Sequence, residues 1–146
     1  MNIGFTGSRH GMTDAQRAAF GVLVTFDYQP STFVHGSCQG ADVEAAAIVR
    51  HVQRLCRIAS RPGPDGDPHQ VDSGVDDVKL PGKTHFARNR DIVDGCDVLI
   101  ACPCDMTEQP RGGTWYTVGY ARKNGKCVII VWPDGSVELL TQKEQV

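Results

Sequence analysis

Three short stretches of this 146-residue chain combine glycine with hydroxyl and guanidinium side chains: Gly7-Ser8-Arg9, Gly36-Ser37-Cys38-Gln39-Gly40, and Arg111-Gly112-Gly113-Thr114-Trp115. Such runs suit an anion. Glycine lets a backbone approach a phosphate closely, and the N–H groups left free where a helix begins carry partial positive charge. Arg9, Arg88, Arg90 and Arg111 could add full charge, and Asn89 lies between two of them. A tight strand-to-helix turn also calls for glycine, so the argument rests on three such runs together and not on any one of them.

Chemistry on a bound nucleotide-like phosphate would call for a carboxylate as acid or base. Asp42, just beyond the second glycine run, is the first candidate, with Glu44 and Glu108 behind it. The other reading of Asp42 is an acid at a helix start, favourable to the helix dipole. Arg88 is a candidate phosphate ligand or, alternatively, an ion-pair partner of Asp91 or Asp94. Trp115 or Tyr116 could stack on a base, or pack in the core where a helix begins.

Other chemistries find less support. The chain has no G-x-G-x-x-G and no G-x-x-x-x-G-K-[ST], which argues against a standard dinucleotide fold and a P-loop NTPase. Ser8 and Ser37 stand near His10 and His35, but no G-x-S-x-G elbow presents a nucleophile. The six cysteines are Cys38, Cys56, Cys96, Cys102, Cys104 and Cys127. In a reducing compartment they are free thiols, and Cys56, Cys102 and Cys127 lie in apolar runs that suit a core. Cys102-x-Cys104 with Cys96 and His85 lacks paired C-x-x-C spacing, so neither a metal nor another cofactor is expected.

The elements that must position these residues alternate along the chain. Strands are expected at 2–6, 32–35, 57–60, 97–102 and 128–131, with 136–140 a candidate edge strand. Helices are expected from Thr13, where Thr13 and Gln16 have capping-box spacing, from Ala41 through Leu55, over 85–95, and over 114–123 ahead of Asn124-Gly125. Residues 61–83, rich in Pro, Gly and Asp, are expected to form a long surface loop. Alternating strands and helices imply crossovers and a Rossmann-like three-layer α/β/α sandwich with a mostly parallel sheet of about five strands. The continuous apolar runs 97–102 and 127–131 should be interior. In such sheets ligands bind beyond the carboxyl ends of the strands, where all three glycine runs fall.

An apolar fraction of 40% and a formal net charge of −2 suit one globular domain over residues 1–140, followed by a loose tail at 141–146. The chain has no basic excess of the kind a dedicated nucleic-acid binder carries, and no apolar run long enough to span a membrane. MNIGFTGSRHG reads as a first strand and not as a signal peptide, which leads to the expectation of a cytoplasmic protein.

The order and spacing of these motifs resemble the SLOG superfamily of Rossmann-like nucleotide-binding proteins. That group includes the LOG-type nucleoside 5'-monophosphate phosphoribohydrolases and the DprA-like DNA-processing proteins. In the LOG pattern an arginine precedes by nine residues an aspartate that opens a strand, and a proline follows six further on, as Arg88, Asp97 and Pro103 do here. Gly7-Ser8 and Gly36-Ser37-Cys38-Gln39-Gly40 match its early glycine loops. TGSR, HGSxxGAD, ARN and GGT together are closer to small bacterial and phage SLOG proteins. The resemblance implies a nucleotide or phosphorylated riboside as ligand, a homodimer, and an N-glycosidase that cleaves or transfers at a nucleoside 5'-monophosphate. The alternatives are a sensing or sequestering module without chemistry and, behind it, a DprA-like role. Against the enzyme, the family's glutamate falls on Thr117, which has no carboxylate, and the stretch before Arg111 is inserted.

Overall fold

The computed structural model describes residues 1–140; the tail at 141–146 lies outside the described residues. Seven strands, β1 (Asn2–Gly7), β2 (Thr32–His35), β3 (Arg57–Ser60), β4 (Val78–Lys79), β5 (Val98–Cys102), β6 (Cys127–Val131) and β7 (Val137–Leu140), form one sheet. The helices are α1 (Asp14–Val22), α2 (Ala41–Val52), α3 (His85–Asp94) and α4 (Gly113–Lys123). A π-helical turn at Leu23–Asp27 prolongs α1.

The sheet order is β4-β3-β2-β1-β5-β6-β7, parallel throughout except for the β6–β7 hairpin. All five residues of β5 are buried, as expected of an interior strand covered on both faces. Alternation along β5 divides the core. Val98, Ile100 and Cys102 face the layer of α1 and α2, packing with Phe5, Phe20 and Phe33. Leu99 and Ala101 face α3 and α4, packing with Ile92, Val93, Trp115 and Val118. This is the three-layer sandwich. The ring centroids of Phe5, Phe20 and Phe33 lie 5.4–6.1 Å apart, close enough for edge-on contact.

The capping box forms as expected: the Gln16 N–H donates to Thr13 Oγ1 and the Thr13 N–H to Gln16 Oε1, each at 3.0 Å. Buried Gln16 also donates through Nε2 to the carbonyls of Pro103 (2.7 Å) and Val131 (2.9 Å), so α1 ties down the ends of β5 and β6.

Three features differ from expectation. The sheet has seven strands where about five were expected. The candidate edge strand is β7, and β4 lies inside the 61–83 segment, too short to leave a periodic signal. That segment lies along the sheet as a strap. Asp77 Oδ2 accepts from the Ile58 N–H (2.8 Å) and from Arg50 Nη2 (2.5 Å), and the Gln39 N–H donates to the His69 carbonyl (2.8 Å). Finally, α2 stops at Val52, and Leu55, which helical spacing placed on its apolar face, is fully exposed.

The chain leaves β1 for β2 on one side and returns through α3 to β5 on the other. The carboxyl ends of β1 and β5, paired at Gly7 and Cys102, therefore mark the switch point where such sheets open a crevice.

Candidate functional site

The loop after β1 is held from within. The Ser8 N–H donates to the Cys102 carbonyl (3.1 Å), and the Ser8 carbonyl accepts from Ala41 N–H (2.9 Å) and Gly11 N–H (3.1 Å). Ser8 is buried, whereas Arg9 and His10 beside it are exposed. The loop after β2 packs against the same turn. Gly40, at φ 87°, has no room for a Cβ against the Arg9 carbonyl. Asp42 Oδ2 accepts from the backbone N–H groups of Gly36 (3.1 Å) and Cys38 (3.2 Å). Arg88 Nη1 donates to the Gly36 carbonyl at 2.6 Å. A Cβ on Gly36 would lie 2.5 Å from that nitrogen, so only glycine permits the approach. The third loop opens α4 with Gly112 at the cap position, and no side chain caps the helix. Its first N–H groups therefore have no partner within the helix.

These loops converge on one cavity of about 480 Å³ at the carboxyl edge of the sheet. That is a usual volume for a small-molecule site. Of the candidate residues, Gly7, Ser8, Arg9, Gly36, Asp42, Arg88, Asn89, Arg111, Gly112, Gly113, Thr114 and Trp115 line it. Three do not. The N–H of Ser37 turns back onto His35 Nδ1 (3.0 Å), Gly40 supports the loop from outside, and Arg90 bonds the Tyr116 hydroxyl (3.0 Å) on the outer side of α3. Glu44 bonds the Met12 N–H (2.6 Å) and Glu108 lies beside Arg122, so neither faces the cavity. Thr117, in the place of the family's glutamate, is fully buried and donates to the Gly113 carbonyl (2.8 Å).

Burial pushes the Asp42 carboxyl above the usual carboxylate range, against the pull of its backbone donors and Arg88. Burial likewise raises the Cys38 thiol. Arg88 is buried, and its Nε has no hydrogen-bond partner. Arg9 and Arg111 are exposed at the rim and make no ion pair among the described residues.

Sequence reasoning missed the wall formed by Asp67, His69, His85 and Phe86. Asp67 and His69 come from the strap, and His85 and Phe86 open α3. The length of the 61–83 segment was the available signal, because long segments in compact domains tend to serve sites. The aromatic reading also changes. Trp115 is buried, packs on Trp132 at 5.8 Å and points Nε1 at Asp105 Oδ2 (3.5 Å). Phe86 is 56% exposed and lines the cavity, its ring tilted by 44° against that of Tyr116 with the centroids 4.4 Å apart. Among the described residues no group of three or more His, Cys, Asp or Glu is placed to hold a metal ion, and no helix is long and apolar enough to cross a membrane.

No protein-family model matches the chain, and no curated protein sequence matches it significantly. Solved structures do. A molybdenum cofactor binding protein from the phototrophic bacterium Rippkaea orientalis superposes with a TM-score of 0.67 at 23% identity, covering 90% of this chain and 76% of its own. The molybdenum cofactor carrier protein of Chlamydomonas reinhardtii gives 0.58 at 20% identity, covering 88% and 74%. The structural-genomics protein TM1055 gives 0.59 at 15% identity, covering 87% and 71%. At these identities the likeness is one of fold: the chain shares the Rossmann-like α/β architecture of molybdenum cofactor binding and carrier proteins.

Proposed function

We propose that this chain binds a phosphorylated heterocyclic compound, a nucleotide or a nucleotide-like molecule, in the cavity at the carboxyl edge of its sheet. The observation that carries the reading is convergence. Three glycine-bearing strand-to-helix loops meet at one cavity whose rim holds Arg9 and Arg111 without ion-pair partners among the described residues. The uncapped start of α4 offers N–H groups to a phosphate, and the arginines offer charge-assisted hydrogen bonds. The fold neighbours extend the range of ligands, since the molybdenum cofactor also joins a heterocycle to a phosphate.

Binding without chemistry is the better-supported form of the proposal. Asp42 and Arg88, the residues expected to act on a glycosidic bond, are committed to shaping the Gly36 loop. One observation favours the second reading, N-glycosidic cleavage: Asp42 lines the cavity with a raised pKa, as a proton donor to a leaving base would. We also propose a homodimer, on the strength of the family resemblance.

A thermal-shift panel of nucleoside monophosphates, ribose 5-phosphate and pterin phosphates tests the proposal. A ligand at 100 times its dissociation constant adds about 2.7 kcal/mol, which is a rise of roughly 5–11 °C for a chain of this size. Arg111→Ala should weaken each phosphate by roughly tenfold or more. A panel without response removes the proposal. Free base released from a bound nucleotide above background on long incubation would move the assignment to the enzyme.

A further inference from the structure

The wall built by the strap and the start of α3 carries no part of the phosphate reading, yet it is made for a ring. Asp67 is held rigidly: its N–H donates to the Pro64 carbonyl (3.2 Å), and its Oδ1 accepts from the His69 N–H (2.9 Å). Its side chain is only 7% exposed, and it lines the cavity. Oδ2 faces His85 Nε2 at 3.4 Å, too long for a strong bond. A carboxylate fixed in this way is a buried acceptor pair with unused lone pairs. Phe86, next to His85 in the chain, lines the same cavity with an exposed ring, and its neighbour Tyr116 is held by Arg90 (3.0 Å). The wall therefore offers the cavity both an aromatic ring and a buried acceptor.

We infer that this wall is the ring subsite of the cavity, and that Asp67 selects a 2-amino-4-oxopyrimidine edge, which guanine and pterin share. That edge places a ring N–H next to an exocyclic amino group, so it offers two adjacent donors to the two oxygens of one carboxylate. Adenine turns a ring acceptor towards the same place, which the carboxylate repels. Hypoxanthine keeps the ring N–H but lacks the amino group. Phe86 contributes stacking that does not distinguish between rings. The inference deepens the phosphate-binding proposal and rests on it.

The test is calorimetric titration of the full chain with guanosine, inosine and adenosine 5'-monophosphates, with ribose 5-phosphate, and with a 6-phosphooxymethyl pterin and its 2-oxo (lumazine) counterpart. One of the two 2-amino ligands should bind about 10- to 100-fold more tightly than its analogue lacking the amino group. Which of the two does so identifies the source of the ring. Asp67→Asn keeps an oxygen for the His69 N–H and should shrink that ratio to within a few fold. Phe86→Ala should weaken every ring-bearing ligand while sparing ribose 5-phosphate. If ribose 5-phosphate and all the ring ligands bind alike, the ring subsite is wrong and the phosphate site stands. If none binds, both fall. The comparison of ligands on the unmutated chain decides the matter even if Asp67→Asn does not fold.

Discussion

The Asp42 carboxyl has left water, yet its Oδ2 accepts from two backbone N–H groups of the loop it supports. Burial outweighs the hydrogen bonds and the neighbouring Arg88, so its pKa in the folded chain lies above that in the unfolded chain. The sign of the linkage follows. The protonated acid is the form the fold prefers, so its contribution is complete below the unfolded value of about 3.9 and is lost as pH rises through the folded value. Asn at this position does not titrate and keeps an acceptor for the two N–H groups. The urea midpoint of Asp42→Asn, compared with that of the unmutated chain, should therefore rise steadily as pH goes from about 4 towards neutrality. A difference that stays flat, or grows towards acid, would show that the carboxylate and not the acid is the native form. Arg88 shows how far such ties lay beyond sequence reasoning. Its bond to the Gly36 carbonyl spans 52 residues, and a helical arginine looks the same whether it pairs with Asp91, holds a phosphate or pins a distant loop. The glycine loops were legible because their signature is local. The contacts that shape them were not, because they are long-range and depend on burial.

The same division holds for whole elements. The runs 97–102 and 127–131 read directly as interior strands, because burial on both faces demands uninterrupted apolar sequence. The capping box at Thr13 and Gln16 announced α1 for an equally local reason. The strap gave no such sign, since polar and turn-forming residues hold it through backbone bonds and one buried pair. His35 makes that pair. The Ser37 N–H donates to its Nδ1, which leaves Nε2 as the protonated nitrogen, and Nε2 donates to Asp76 Oδ1 at 2.6 Å with both side chains fully buried. Burial pushes the Asp76 carboxyl up, but the hydrogen bond from His35 outweighs it and holds it below the usual range. Asp76→Ala leaves that imidazole N–H in the core without an acceptor, which costs about 1–3 kcal/mol. The loss should be local. Hydrogen exchange should quicken within 61–83 and at Ser37, while β5 and β6 keep their protection. Because Asp67 and His69 belong to the strap, affinity for a ring-bearing phosphate should fall more than affinity for ribose 5-phosphate. Uniform loss of protection across the sheet would mean that the pair supports the whole fold.

At the scale of the molecule, the two most exposed large apolar side chains, Leu55 and Phe26, lie at the opposite edge of the sheet from the cavity. The glycine-bearing loops that line the cavity follow the carboxyl ends of β1, β2 and β5. Val22 and Phe26 stand where α1 and its π-helical extension lead into β2, and Leu55 where α2 leads into β3. Those connections approach the amino ends of the strands. A homodimer that covers these side chains leaves the cavity open. Light scattering should report twice the 15.9 kDa chain mass if the resemblance to paired relatives extends to assembly. Binding should not follow that equilibrium. One ligand per chain is expected, with the same affinity at protein concentrations well above and well below the dimer midpoint, because the surface so covered lies away from the cavity. Titrations over a roughly hundredfold range of protein concentration, run beside the scattering measurement, distinguish the cases. Affinity that weakens as the dimer dissociates would show that a second chain orders or supplies part of the cavity.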